Sequence, residues 1–524
     1  MQCSCIRQTD FAHVTAILAD SLYHPERTSR FYWNRAHDFE AALDAAKEID
    51  FPASKRAALI TALEVENSGN PLLAKLAQPG TVAVLTGQQV GLFCGPAYTI
   101  YKALSAVKLA EMLTAQGVSA VPVFWLATED HDFAEVNHTW VFDGDHHRLK
   151  LEMRRPSTGQ PVGDVILDAP PVGELRSYLQ VLPYGEHVAD WVEQSYQPGR
   201  TLGQSFGKLL SLLLSGFPIL QVNPLLPAFR ELAAPYLRGA VEAGPQLAAR
   251  VLDRNRELAA AGYHAQVHVE DQTSFVFLLE NGKRHALRRH EDIYTLNGRR
   301  FTAQELMDRA SSLSPNALLR PVVQDSMLPT AAFIAGPSEL AYLAQSEVVY
   351  RTLLGRMPAI LPRSGFTLLD ARSQKLWLRY GLTLPDFIHG EEIVRERIAQ
   401  RLVPPALNGA LQQTTQTVET GLESFEQHVA AFDPTLAAAL TRSGRKIRYQ
   451  LEKMGRKIGN EALRRDARAS QDAASLYNLV FPDRHPQERL YSILPFVAKF
   501  GTDLVEQLYQ AVDPNCPDHR LVVI

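Results

Sequence analysis

The chain has 524 residues, 46% of them hydrophobic, which supplies a large buried core and excludes a disordered or fibrous protein; this length fits roughly two to four structural units. Its 53 basic and 57 acidic side chains give a formal net charge of -4, so no global positive excess exists to drive tight nucleic-acid binding. Four scattered cysteines do not make a disulfide framework, the N-terminus lacks the order of a signal peptide, and no apolar run approaches the roughly 20 residues that span a bilayer.

A reducing cytoplasm is the expected compartment. Cys3 and Cys5, with one residue between them and no partner pair downstream, read as two ordinary thiols rather than a metal pair. Residues 1–75 read as a helical lead-in, because apolar and charged residues alternate at helical spacing up to Ser68-Gly69-Asn70-Pro71. The pattern then changes to TVAVLTGQQVGLFCGP, a β-branched run and a glycine-rich turn, followed by a helix that ends at Gly117. VPVFWLATEDHD is a second apolar strand running into acidic residues. Strand, turn, helix and strand make one βαβ unit, and the expected core is a Rossmann-like parallel sheet over residues 76–390.

Residues 141–310 mix helices with an antiparallel-looking stretch and read as connecting insertions. Strand and helix alternate again from LLRPVVQDSMLPTAAFIAGPSEL to MPAILPRSGFTLLD, completing the sheet. In 391–475 the pattern becomes a seam. Leu407, Leu411, Val418, Leu422, Phe425, Val429 and Phe432 recur three, four or seven apart, and after Asp433-Pro434 so do Leu436, Leu440, Ile447, Leu451, Met454 and Ile458. That spacing predicts an antiparallel coiled-coil helical hairpin. Its second helix carries Arg442, Arg445, Lys446, Arg448, Lys453, Arg456 and Lys457, either a solvated face or a phosphate-contacting one. Residues 476–524 are expected to pack back on the core.

Three segments carry chemistry. In Thr86-Gly87-Gln88-Gln89-Val90-Gly91-Leu92-Phe93-Cys94-Gly95-Pro96, glycines between a strand and a helix let backbone N–H groups and a helix N-terminus approach an anion, although the spacing matches neither GxGxxG nor a Walker loop. Lys102, in the following helix, reads as an anion contact or a solvated lysine. The second segment, Glu129-Asp130-His131-Asp132 with Glu135, Asn137 and His138, crowds carboxylates and imidazoles beyond a strand's carboxyl end, where open α/β sheets bind ligands. Close carboxylates are expected to raise one another's pKa and to hold His131 protonated, which makes Asp130, His131 and Asp132 the candidate acid–base residues. A solvated loop or a metal site are the rival readings, and the spacing fits no zinc template. In the third segment, Arg320, Gln324 and Asp325 precede Gly336 and Glu339, and Arg363 follows; each arginine is a carboxylate clamp or a structural ion pair.

Taken together, TGQQVGLFCGPAYTIYKA, PVFWLATEDHDFAEVNH, SPNALLRPVVQDSMLPTAAFIAGPSELAYLAQ, MPAILPRSGFTLL and PDRHPQERLYSILPFVAKFG resemble the BshC family over nearly the whole chain. The resemblance implies a Rossmann-like core with connecting peptides and a coiled-coil domain, similar to class I aminoacyl-tRNA synthetases. Phe93 and Pro96 then fall near the histidine positions of the synthetases' His-x-Gly-His motif. The implied activity is the last step of bacillithiol synthesis, a ligase adding cysteine to glucosaminyl-malate. ATP or another nucleotide is expected, since an amine does not displace the oxygen of a free carboxylate, and Mg would enter only with that nucleotide. The expected binding residues are Thr86, Gly87, Gln88, Gln89, Gly91, Gly95, Tyr98, Lys102, Glu129, Asn137, Arg320, Gln324, Gly336, Glu339 and Arg363. Partners are the two small substrates and a second copy of the chain through the heptads, with neither nucleic acid nor membrane. The competing readings are a nucleotidyltransferase-like enzyme acting on another small molecule, or a coiled-coil scaffold with a vestigial pocket.

Overall fold

Apolar β-branched runs, too short for helices and closed by glycine or polar residues, form the parallel sheet at the centre of the computed structural model, which describes residues 2–11, 14–34, 37–154 and 159–524. The side chain of Cys3 lies outside the described residues, and with it the question of a Cys3 and Cys5 pair. Five strands build the sheet: β1 (Val82–Gln88), β2 (Ala120–Leu126), β3 (Leu220–Val222), β4 (Thr330–Ala335) and β5 (Ala359–Pro362). Their order is β5-β4-β1-β2-β3, every pair parallel. Sequence order reverses between β1 and β4, so the carboxyl ends of these two strands open a crevice where such sheets place ligands. Every residue of β2 and β4 is buried, as a strand covered on both faces requires.

Three helices matter for the crevice: α1 (Tyr98–Ala115), α2 (Arg320–Met327) and α3 (Pro337–Leu353). The expectation for 141–310 needs one correction, because β3 lies inside it and is an integral strand; three residues are too few for a periodic signal. The rest of the stretch includes much of a five-stranded antiparallel sheet made of Thr273–Glu280, Lys283–His290, Ile293–Leu296, Arg299–Thr302 and Leu313–Pro315. Asn281-Gly282 and Asn297-Gly298 turn two of its hairpins with positive φ at both residues, the conformation that matches strand twist. The lead-in is helical from residue 16 but begins with a strand, Gln2–Ile6.

The chain divides into two compact units, one of residues 1–144, 148–367 and 488–522, the other of 145–147, 368–487 and 523–524. Residues 368–390, expected in the sheet domain, therefore belong to the helical unit. In that unit α4 (Glu391–Leu402) precedes the hairpin of α5 (Pro405–Phe432) and α6 (Pro434–Arg465). Asp433 caps α6 by accepting from the Thr435 backbone N–H at 2.7 Å, with Pro434 in the first turn. The seam is half-covered: Leu411, Val418, Leu422 and Val429 are partly buried, no residue of α5 is fully buried, and Phe432 is 85% exposed. Small residues on α6 let the seam close, since a Cβ at Gly455 would stand 3.1 Å from Leu411 Cδ2. Leu422→Asp, facing Gly444, is expected to cost the hairpin about 3 kcal/mol and to lower helix content and melting temperature by circular dichroism.

Candidate active site

The crevice holds a cavity of about 390 Å³, lined at the end of β1 by Gly87 and Gln88 and just past it by Gln89, after β2 by Asp130 and Glu135, and after β4 by Gly336 through Glu339. From α1 come Tyr98 and Lys102, from α2 Arg320 and Gln324, and from α3 Tyr342; Arg363 and Arg489 complete the wall. Trp125, Ala127 and Phe333 add apolar surface. The indole N–H of Trp125 is buried with no hydrogen-bond partner among the described residues.

The cations fall into two groups. Lys102 is 2% exposed; its ammonium donates to Gly87 O at 2.8 Å and Gln88 Oε1 at 3.0 Å and pairs with Glu339 Oε2 at 2.5 Å. Burial lowers its pKa and Glu339 opposes the shift. Glu339 also accepts from the Gly336 N–H at 2.6 Å and so caps α3. Arg363 donates two parallel hydrogen bonds to Glu488, at 3.0 and 2.6 Å, and stands 5.2 Å from the Tyr98 ring centroid. It is a structural ion pair, with its charge already matched. Arg320 and Arg489 differ, for among the described residues neither has a carboxylate within 4.0 Å. Arg320 hydrogen-bonds Tyr342, whose hydroxyl burial pushes up to about 12. The turn before α2 aims it: Asn316 Oδ1 accepts from the N–H groups of Leu318 and Leu319, both at 3.0 Å.

On the acidic side, Gln89 Nε2 donates to Asp130 Oδ2 at 2.8 Å and to Glu135 Oε2 at 2.5 Å. Burial pushes the Asp130 carboxyl up, but the Gln89 hydrogen bond and the charges of Arg284 and Arg320 outweigh it and hold Asp130 below the usual range. The expected mutual raising of carboxylate pKa values therefore does not occur at Asp130, because cations surround it. His131 is likewise not held protonated. Burial and Arg284 lower its pKa against the pull of Asp130 and Asp132, and its Nδ1 lies 3.1 Å from Arg284 Nη1, a donor that leaves Nδ1 the acceptor. Neither His131 nor Asp132 lines the cavity; Asp132 caps the short helix Phe133–Val136 through the Ala134 N–H at 3.1 Å.

Other expected contacts are structural. Thr86 is fully buried and bridges β1 to β4 through Ile334 O at 3.0 Å. Gly91 and Gly95 do not reach the cavity: the Gly95 N–H returns to Leu92 O and the Ala97 N–H to Tyr491 O, so the loop and the start of α1 spend these donors internally. A Cβ at Gly91 would stand 3.1 Å from Gly95 Cα, and Gly95 has φ 60, so both glycines serve close packing. Phe93 is buried edge-on to Tyr196 at 4.8 Å. Glu129 is buried on Arg230, and Asn137 donates to Glu152 at 3.0 Å, away from the cavity. Asp325, on the far side of α2, accepts from Tyr350, and burial raises its pKa to about 6. A raised folded pKa means stability present below the unfolded value and lost as pH rises through about 6. Asp325→Asn is accordingly expected to unfold later than the parent at pH 8 and to lose that advantage by about pH 4, read by denaturant titration at both pH values.

Among the described residues no group of three or more His, Cys, Asp and Glu is placed to hold a metal ion, and no helix is long and apolar enough to cross a membrane.

A Rossmann-like sheet with a charged cavity at its switch point, followed in the chain by a coiled-coil helical domain, describes a recognisable class of enzyme. The family description "Bacillithiol biosynthesis BshC, N-terminal Rossmann-like domain" matches residues 1–364, and "Bacillithiol biosynthesis BshC, C-terminal coiled-coil domain" matches 366–524. The chain belongs to the BshC family. It is 62% identical, over the full length of both chains, to a protein of Solibacter usitatus named "Putative cysteine ligase BshC". Proteins of the same name from Koribacter versatilis, 35% identical over 99% of each chain, and Salinibacter ruber, 30% identical over 85% of this chain and 84% of its own, are also similar.

Proposed function

We propose that the chain is a cytoplasmic ligase that joins cysteine to glucosaminyl-malate, with a nucleotide as the source of activation. The observation that carries this reading is the charge pattern of one cavity: Arg320 and Arg489, two guanidinium groups with no carboxylate within 4.0 Å among the described residues, face the same space as the carboxylates of Asp130 and Glu135. A malate carboxylate pair suits the arginines, which offer planar forks of N–H donors, and a sugar amine suits Asp130. Phosphate oxygens also accept from such forks, so the donor set fits a nucleotide as well, which when bound supplies the leaving group that a free carboxylate lacks. Asp130, ionised across neutral pH, orients the amine and counters positive charge on nitrogen as the carbon–nitrogen bond forms and the carbon–oxygen bond breaks. The exposed apolar residues of the hairpin, Phe425, Phe432 and Met454 among them, suit a second copy of the chain.

The test is incubation of purified protein with cysteine, glucosaminyl-malate and each nucleotide in turn, followed by mass spectrometry. The expected result is a thiol product whose mass is the sum of the two substrates less water, with release of a nucleotide product. No product with any nucleotide overturns the reading.

A further inference from the structure

The residue that fixes the acidic side of the cavity comes from neither the parallel sheet nor its loops. Arg284 stands just past the Asn281-Gly282 turn, second in the strand Lys283–His290 of the antiparallel sheet, and its side chain is 9% exposed. Its guanidinium uses all three nitrogens. Nε donates to Ser314 Oγ at 2.8 Å, Nη2 to Pro315 O at 2.6 Å, and Nη1 lies 3.1 Å from His131 Nδ1 and 3.8 Å from Asp130 Oδ1. The plane is carried over Phe277, with Cζ 3.9 Å from the ring centroid. One side chain thus ties a hairpin, the strand Leu313–Pro315 that leads to Arg320, and the loop that follows β2.

We propose that Arg284 is a positioning residue for this cavity: it locks the loop of Asp130 to Asp132 so that Asp130 Oδ2 is presented to the ligand while His131 is held aside. Its geometry explains the division of labour within the acidic segment. Asp130 Oδ1 is turned toward Arg284 and accepts from the His131 N–H at 2.7 Å, which leaves Oδ2 on the Gln89 side, at the cavity. His131 has its Nδ1 lone pair committed to Arg284, and Asp130 and Asp132 oppose that charge at the ring. Around Asp130 stand Gln89, which it shares with Glu135, the N–H groups of His131 and Asp132, Arg284 from the hairpin and Arg320 from α2, so removal of Arg284 takes away one of the two cations whose charge holds Asp130 low among the described residues. A lysine does not reproduce this fork, because its three N–H donors radiate from one point, whereas Arg284 reaches Ser314, Pro315 and His131 from three separate nitrogens.

The proposal rests on the ligand site being this cavity, but one of its tests needs no turnover. With histidine ring nitrogens labelled with ¹⁵N and His131 assigned through His131→Gln, NMR of the full chain should show His131 neutral at pH 7 with the proton on Nε2. In Arg284→Met the preference for that tautomer should vanish and the midpoint of His131 should rise by about one pH unit. Where a ligase assay gives product, the acid limb of kcat/KM should move up by a similar amount, because Asp130 loses a cation, while the limb of His131→Gln stays in place. Should Arg284→Met not fold, Arg284→Gln, which keeps polar contacts without charge, is read by the His131 midpoint alone, which should rise in the same direction. A folded variant with unchanged His131 tautomer and midpoint overturns the proposal, whatever the assay gives. Absence of product alongside the expected NMR change sinks only the ligase reading.

Discussion

Arg320→Met is expected to weaken binding of glucosaminyl-malate by about 10²-fold in calorimetry and to raise KM accordingly. The guanidinium lines the cavity, is held by Tyr342, and has no carboxylate within 4.0 Å among the described residues, with Asp130 and Glu339 acting on its charge from farther off, so its fork can meet a ligand directly. Hydrogen bonds to charged groups contribute about 1.5–3 kcal/mol each, and loss of one strong fork, at about 3 kcal/mol, corresponds to about 10² in affinity. Arg489→Met should cost less, about tenfold, because that side chain is exposed and its field is screened by water. Arg363→Met gives a contrasting pattern. It strands Glu488, which is 5% exposed, and its effect is expected in stability, about 3 kcal/mol, rather than in affinity of the folded fraction.

Asp130→Asn should cut turnover by about 10²- to 10⁴-fold, a loss far larger than its accompanying modest drop in melting temperature explains, whereas His131→Ala should reduce turnover far less. The difference follows from placement: Asp130 lines the cavity, while His131 lies behind it with Nδ1 on Arg284. The pH dependence has a definite sign. Because the folded pKa of Asp130 lies below the ordinary carboxylate value of about 4, its contribution to stability is present above about pH 4 and is lost as pH falls through the lower folded value. Asp130 therefore imposes no loss of activity between pH 8 and about pH 5. Equal loss of turnover in the two variants would contradict the assignment of Asp130, and not His131, to the reacting amine.

The sequence announced the three segments that meet at the crevice, because each joins an apolar run to polar residues, and Gln88, Gln89, Lys102, Asp130, Arg320, Gln324, Gly336 and Glu339 do line one cavity. What it could not announce is pairing across distance. Arg363 meets Glu488 and Lys102 meets Glu339, so two cations that looked available are neutralised by residues far along the chain. Arg489 lies in PQERL, where no local pattern marks it as facing a cavity, and Arg284 sits in KRHALRRH, where nothing sets one basic residue apart from its neighbours. The glycine turn misled for a related reason. Its glycines were legible as a close approach of backbone, but the approach is of Gly91 to Gly95, not of either to a ligand.

The most direct test is a crystal structure of the protein soaked or grown with glucosaminyl-malate. The predicted result is the malate carboxylates on Arg320 and Arg489 and the sugar amine within hydrogen-bond reach of Asp130 Oδ2, in the crevice between β1 and β4. Ligand bound elsewhere, with the Arg320 and Arg489 guanidinium groups unengaged, would contradict the assignment of this cavity as the active site.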